Sequence, residues 1–318
     1  MELICKVTSK CDMACTFCSA SKLGLNDLTP EEIAKATKKT GAQSLILLGG
    51  EALCLGADYY YKLLKLTKDI SLDFTTNLKD FYLHPDTWVP LFKHPRVNVC
   101  TSFNYGSTRL LDKCTVYTED MFKKTMRLFK ERVGYMPPFI AVLDENNIGT
   151  WRKHIELAKE LGTRCRLNNA LKYGRQSKYF PRSELFKVWV QIVKEGLDKY
   201  EINAAERFRG ICPINTCGLC KSTIRVVQKK NGKVIYHNCD DRSNAALAPL
   251  KENEIFAAPT IEHCKDPLKY ECYACKLYRL CNNCETNKAM VENISSYCDT
   301  MKSLENDLIS QGWLTCNV

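Results

Sequence analysis

Cysteine falls in this chain in two dense groups, and that distribution constrains the possible folds more than any other feature. Cys11, Cys15 and Cys18 lie within eight residues of one another near the start. Eleven of the nineteen cysteines crowd the last third, from Cys212 to Cys316, while Cys5, Cys54, Cys100, Cys114 and Cys165 stand singly. Disulfide frameworks belong mostly to short secreted chains with an even cysteine count. This chain has 318 residues, an odd count, and an opening (Met1, Glu2, Leu3, Ile4, Cys5, Lys6) without the basic and apolar regions of a secretory signal. The expectation is a cytoplasmic protein whose cysteines ligate metal or clusters. No run of eighteen apolar residues occurs, so no membrane span is expected. The 45 % hydrophobic content suits one large domain and a smaller one.

The first two thirds alternate between strand-like and helix-like patterns. Strands are expected at 3–7, 44–48, 72–75, 97–103, 139–143 and 164–168. Helices are expected at 58–68, 85–93, 118–131, 150–161 and 183–200, besides one opening at Thr29, Pro30, Glu31, Glu32 and closing at Gly41. That opening has the capping-box pattern, with proline at the first helical position. Six β-then-α units in series imply a parallel sheet with right-handed crossovers, too few for a closed eight-unit barrel. The fold class expected is α/β: a partial (β/α)6 barrel over 1–205, followed by a loop-rich, cysteine-rich domain over 206–318. The second part shows one hairpin, 223–228 and 233–237, around a turn at Lys229, Lys230, Asn231, Gly232.

The spacing of Cys11, Cys15 and Cys18 is C-x3-C-x2-C. Three thiolates on one short loop can hold three corners of a 4Fe–4S cubane and leave the fourth iron open to an exogenous ligand. The alternative is a zinc loop completed by a distant fourth ligand, although zinc sites more often pair C-x2-C units. The motif, with Phe17 just before its last cysteine, resembles that of the radical S-adenosylmethionine (SAM) superfamily, where it follows the first strand of a partial (β/α)6 barrel. Further matches stand at successive strand ends, where such barrels place their active sites. Gly49, Gly50 and Glu51 resemble the family's GGE motif, which implies contact with the SAM amino group; Ala52 stands where proline is common. Two glycines permit close backbone approach, and a carboxylate complements an ammonium. By the same resemblance, Thr75, Thr76 and Asn77 would hold SAM at the third strand, and Thr101 and Ser102 its ribose or carboxylate at the fourth. Asn147 follows the fifth strand near a recurrent family asparagine. Arg175, after the sixth, could bind a SAM or substrate carboxylate, or simply belong to a strand-end turn.

The C-terminal cysteines form a second constellation: Cys272-x2-Cys275-x5-Cys281-x2-Cys284, then Cys298. Alone, four of these could make a zinc ribbon. Upstream stand Cys212, Cys217, Cys220, Gly232 and Cys239, and this order resembles the SPASM domain, the auxiliary-cluster extension of some radical SAM enzymes. Six residues rather than four follow Gly232, and two rather than three precede Cys284. The resemblance implies one auxiliary 4Fe–4S cluster on Cys272, Cys275, Cys281 and Cys298. A second would take Cys284, Cys220, Cys239 and either Cys212 or Cys217; a one-cluster version is the alternative. Such clusters would staple a region with little apolar core. The single cysteines of the first half are expected in the core. Asp240, beside Cys239, matches the general base of anaerobic sulfatase-maturating enzymes, the alternative being a solvent-facing or capping aspartate.

The activity implied is reductive cleavage of SAM to a 5′-deoxyadenosyl radical, which abstracts hydrogen from a substrate. Oxidation or crosslinking of a peptide or protein side chain is the leading expectation, with flavodoxin or ferredoxin as reductant. Because Cys11 lies so near the start, no peptide-recognition domain is expected ahead of the barrel. Modification of a nucleotide, nucleic acid or small metabolite is the alternative, and a non-enzymatic electron carrier the third. The formal charge of +10 permits an acidic partner. Its Lys and Arg residues are nevertheless dispersed, without an aromatic-interleaved patch. Three oxidised clusters would also remove about five of those charges. Nucleic acid is therefore not favoured.

Overall fold

The computed structural model describes residues 1–18, 20, 24–170, 175, 180–208, 224–237 and 249–255, together with 299, 302–303 and 309–310. Its elements run β1 (Glu2–Lys6), α1 (Pro30–Thr40), β2 (Ser44–Leu48), α2 (Ala57–Leu66), β3 (Ser71–Thr75), α3 (Lys79–Leu83), α4 (Pro85–Phe92) and β4 (Val97–Ser102). There follow α5 (Glu119–Val133), β5 (Phe139–Leu143), α6 (Trp151–Leu161), β6 (Cys165–Asn169), α7 (Arg182–Lys194), α8 (Ile202–Phe208), β7 (Ile224–Lys230) and β8 (Lys233–His237). The strands form one sheet in the order β6-β5-β4-β3-β2-β1-β7-β8, with β1 to β6 all parallel. Each consecutive pair among β1 to β6 is joined through helix, as a partial barrel wall requires.

Local chemistry explains where these elements begin and end. Thr29 Oγ1 accepts from the Glu32 N–H at 3.2 Å while Glu32 Oε2 accepts from the Thr29 N–H at 2.8 Å, so the expected capping box forms. Such a cap stabilises a helix by about 1 kcal/mol. Gly41 and Gly162 close α1 and α6 in the left-handed conformation, with φ of 64° and 67°. Along β2, β3 and β5 fully buried residues alternate with half-exposed ones. One face of the sheet is therefore packed by helices and the other left open. Leu45, Leu47, Leu72, Phe74, Val97 and Val99 join one core cluster on the helix side. Phe103, Phe139, Leu143, Leu167, Ile155 and Trp189 join a second.

Four features differ from the sequence expectation. Short α3 and α8 were not expected, because five and seven residues carry little periodic signal. The hairpin turn is the two-residue Asn231, Gly232 pair, both at positive φ (50° and 75°), rather than the four residues from Lys229. β7 also runs parallel to β1, pairing Ile4 with Val226 and Lys6 with Gln228, so a hairpin expected in the second domain continues the barrel sheet. Of the single cysteines, Cys5 and Cys165 are buried as expected and Cys100 is partly buried, but Cys54 and Cys114 are exposed. Cys54 lies in the short 3-10 helix Ala52–Leu55 beyond β2 and Cys114 in a bend beyond β4, neither on a packed face. Among the described residues no helix is long and apolar enough to cross a membrane.

Glu201 ties α8 to β6. It is fully buried and accepts from the Leu167 N–H at 2.8 Å and the Ala204 N–H at 2.5 Å. Burial pushes its carboxyl up to about 7 against the pull of those donors. A raised folded value means that its contribution to stability is complete below the ordinary carboxyl range and is lost as pH rises through about 7. The unfolding midpoint should fall between pH 5 and 8, and Glu201→Gln should flatten that slope. Thermal unfolding across this range checks it, and an unchanged slope would refute the assignment.

Candidate functional site

The site is built where the chain leaves the C-terminal ends of the parallel strands. After β1 the backbone keeps pairing with the segment after β2. The Gly50 N–H donates to the Thr8 carbonyl at 2.8 Å, and the Glu51 N–H to the Lys10 carbonyl at 2.7 Å. A Cβ on Gly49 would stand 2.2 Å from the Thr8 carbonyl oxygen, and one on Gly50 only 2.1 Å from that of Lys10. The two glycines thus exist for a close approach, as their sequence suggests. What approaches is the stretch leading directly into Cys11.

Glu51 is 2 % exposed. Its Oε1 accepts from the Leu53 N–H at 3.0 Å and from Thr76 Oγ1 at 2.5 Å, and its Oε2 from the Asn77 N–H at 2.7 Å. Burial pushes the carboxyl up to about 7, and those three donors pull it back. Its role within the chain is to bind the turn after β2 to the turn after β3. Thr76 Oγ1 also accepts from the Leu78 N–H at 3.0 Å. Asn77 is equally committed: its Nδ2 donates to Asp12 Oδ1 and its Oδ1 accepts from the Lys79 N–H, both at 2.7 Å.

The remaining expected residues divide by face. Thr75 and Ser102 are half-exposed on the open side of the sheet. Thr101 pairs in register with Phe139 and shares its buried, helix-facing side, where its Oγ1 has no partner among the described residues. Ser102 Oγ accepts from Arg109 Nη2 at 2.7 Å, and the Arg109 guanidinium lies 5.7 Å from the Tyr117 ring. Asn147 is spent on the turn after β5, donating to the Val142 carbonyl at 3.0 Å and accepting from the Asp144 N–H at 2.8 Å. Arg175 reaches back to the cysteine loop: its N–H donates to the Cys18 carbonyl at 3.0 Å and its Nη1 to that of Cys15 at 3.3 Å.

The loop 11–18 is therefore held from several sides. The Ala14 and Thr16 N–H groups donate to the Leu110 and Thr108 carbonyls, each at 2.9 Å, and Met13 packs on the second core cluster. Lys79 Nζ donates to the Asp12 carbonyl at 2.7 Å. Cys11 is exposed, Cys15 and Cys18 partly so, and Phe17 is half-buried beside them. Among the described residues no three His, Cys, Asp or Glu side chains converge on a single-ion site. Cys212, Cys217, Cys220, Cys239, Asp240, Cys272, Cys275, Cys281, Cys284 and Cys298 lie outside the described residues.

Lys79, Asp12 and Arg109 were not singled out from sequence. Lys79 carried no local signal, because α3, which it opens, is too short to show a helical period. Arg109 carried none, because the loop between β4 and α5 has no periodicity.

Residues 5–158 match the model of the radical SAM superfamily. No curated protein matches the chain by sequence. Among solved structures, anSMEcpe with bound AdoMet aligns at a TM-score of 0.72 with 19 % identity, over 98 % of this chain and 97 % of that one. The same protein with AdoMet and the Cp18Cys peptide aligns at 0.70 and 20 %, over 98 % and 96 %. Streptococcus suis SuiB bound to S-adenosylmethionine aligns at 0.58 and 15 %, over 92 % and 72 %. At these identities the likeness is one of fold.

If Gly50 admits the backbone before Cys11, a methyl group there must displace that loop. Gly50→Ala should lower the iron retained after anaerobic reconstitution several-fold. Gly149→Ala, whose Cβ meets nothing within 4 Å among the described residues, should leave it unchanged. Equal iron in the two variants would remove this account of the glycines.

Proposed function

We propose that this chain, which carries the radical SAM domain over residues 5–158, is an enzyme that oxidises or crosslinks a side chain in a peptide or protein. The observation that carries the first half of this reading is the loop 11–18, whose three cysteines follow β1 on a segment held by bonds from Lys79, Arg175 and the carbonyls of Thr108 and Leu110. When bound there, a 4Fe–4S cluster supplies the electron that cleaves S-adenosylmethionine and yields the hydrogen-abstracting 5′-deoxyadenosyl radical. Cys11, Cys15 and Cys18 would hold it. The chain's own work is to fix that loop, through Gly49, Gly50, Asn77, Lys79 and Arg175, against the open ends of β1 to β6. Thr75 and Ser102, half-exposed on the open face, are available to SAM. Glu51 would act mainly by joining two of the turns that surround it.

The peptide substrate is supported by the fold likeness to anSMEcpe, which was solved with AdoMet and the Cp18Cys peptide, over nearly the whole of both chains. Cys272, Cys275, Cys281 and Cys298 would hold one auxiliary cluster, and Cys284, Cys220, Cys239 and Cys212 or Cys217 a second; when bound, such clusters would supply an acceptor for the substrate electron. Asp240 would take the proton, since oxidation removes both together. A flavodoxin- or ferredoxin-like protein would supply the reducing electron.

Anaerobic reconstitution with assay of iron, sulfide and 5′-deoxyadenosine tests the reading. About twelve irons per chain are expected for three cubanes, whereas about four would leave only the cluster of the triad. Cys15→Ala should abolish 5′-deoxyadenosine formation, and persistence of that product would sink the cluster assignment. Asp240→Asn should keep SAM cleavage and lose turnover of a peptide substrate. Full turnover in that variant would exclude Asp240 as the base.

A further inference from the structure

Asp12, the residue after Cys11, is gripped at two points by the segment that leaves β3. Asn77 Nδ2 holds its side chain at 2.7 Å, while Lys79 Nζ holds its carbonyl oxygen at 2.7 Å and reaches the Leu111 carbonyl at 3.3 Å. Between these two residues Leu78 has φ 60°, in the left-handed region. For a residue with a Cβ that conformation is disfavoured by crowding against the neighbouring carbonyl. It is held by the bond from its N–H to Thr76 Oγ1 and by a side chain with no exposure. Lys79 follows as the first residue of the five-residue α3. A strained backbone residue flanked by two side chains that converge on one residue of the cysteine loop points to function rather than to fold stability.

We propose that Lys79 is a positioning residue of the cluster site: it fixes the Cys11 end of the loop through the Asp12 carbonyl, and its ammonium raises the midpoint potential of the cluster held there. This rests on the reading of loop 11–18 as the cluster site. Reduction adds an electron to an already anionic group, so a fixed positive charge nearby favours the reduced state. Lys79 is only partly exposed, which limits screening by solvent. The Asp12 carboxylate works in the opposite sense, and the bond from Asn77 ties it to a neutral amide rather than to a cation. At the other end of the loop the exposed Arg175 donates to the Cys15 carbonyl, where water screens its charge more strongly.

The test is a redox titration of the full-length reconstituted protein, followed by the paramagnetic signal that changes when SAM is added. Only a cluster with an open iron responds in that way. Lys79→Gln keeps a hydrogen-bond donor and loses the charge. Its ratio of reduced to oxidised cluster at a fixed poise should fall about tenfold, equivalent to a midpoint ~59 mV more negative for one electron. Lys79→Arg should hold the wild-type value, and Lys79→Met should lower both midpoint and occupancy. Should Lys79→Gln load too little cluster to titrate, Asp12→Asn is the second arm. It removes the opposing charge, and its midpoint should become less negative. A midpoint indifferent to these charge changes, at full occupancy, overturns the proposal and leaves Lys79 a purely structural tether. If the wild-type protein shows no SAM-responsive cluster, the cluster reading itself fails and this proposal with it.

Discussion

The contact on which the rest of the site depends is between two stretches of backbone. Where residues 8–10 cross Gly49 and Gly50, the parallel ladder of β1 and β2 is carried beyond the strands themselves. Parallel pairing normally ends where the chain turns away into its helix. Here two missing side chains let it continue, and the continuation aims residues 11–18 over the open end of the sheet. The surrounding loops then act on a segment whose starting point is already set. Glu51 couples the turns after β2 and β3, Asn77 and Lys79 hold Asp12, and the carbonyls of Thr108 and Leu110 receive the middle of the loop.

Much of the scaffold was legible because it is written in local chemistry. The span Ser44–Leu48 is a strand in the sequence reading and in the structure, and the box at Thr29 caps α1 as its pattern implies. The site was legible by position but less so by role. Thr101 and Ser102 are neighbours in sequence, yet the two-residue period of a strand sends one toward the helices and the other to the open face. Which is which depends on register with Phe139, a non-local fact. Glu51 looks like a free carboxylate in a motif, but three donors from its own chain surround it. Arg175 pairs with a loop some 160 residues earlier, and no local pattern encodes such a separation.

Buried polar groups do much of the ordering around the site. In a low dielectric an unpaired carboxylate is costly, so Glu51 and Glu201 each gather backbone donors. Each raised carboxyl fixes a geometry, one between β2 and β3 and the other between β6 and α8. Polar satisfaction rather than apolar packing therefore sets the positions of the strand ends, while the aromatic-rich clusters behind the sheet supply the bulk of the cohesion.

The position of β1 between β2 and β7 has a consequence for how the protein comes into being. β1 is made first, and β2 is ready beside it some forty residues later. Its other flank stays an unpaired edge until Ile224–Lys230 has left the ribosome. For most of synthesis the strand that launches the cysteine loop is thus an open template, liable to pair with the wrong neighbour. Its final partner closes one of the longest loops in the chain, a late and slow event in folding. Iron offered before that closure meets a loop whose base is secured on one side only, so assembly of the metal centre and completion of the chain are coupled in time.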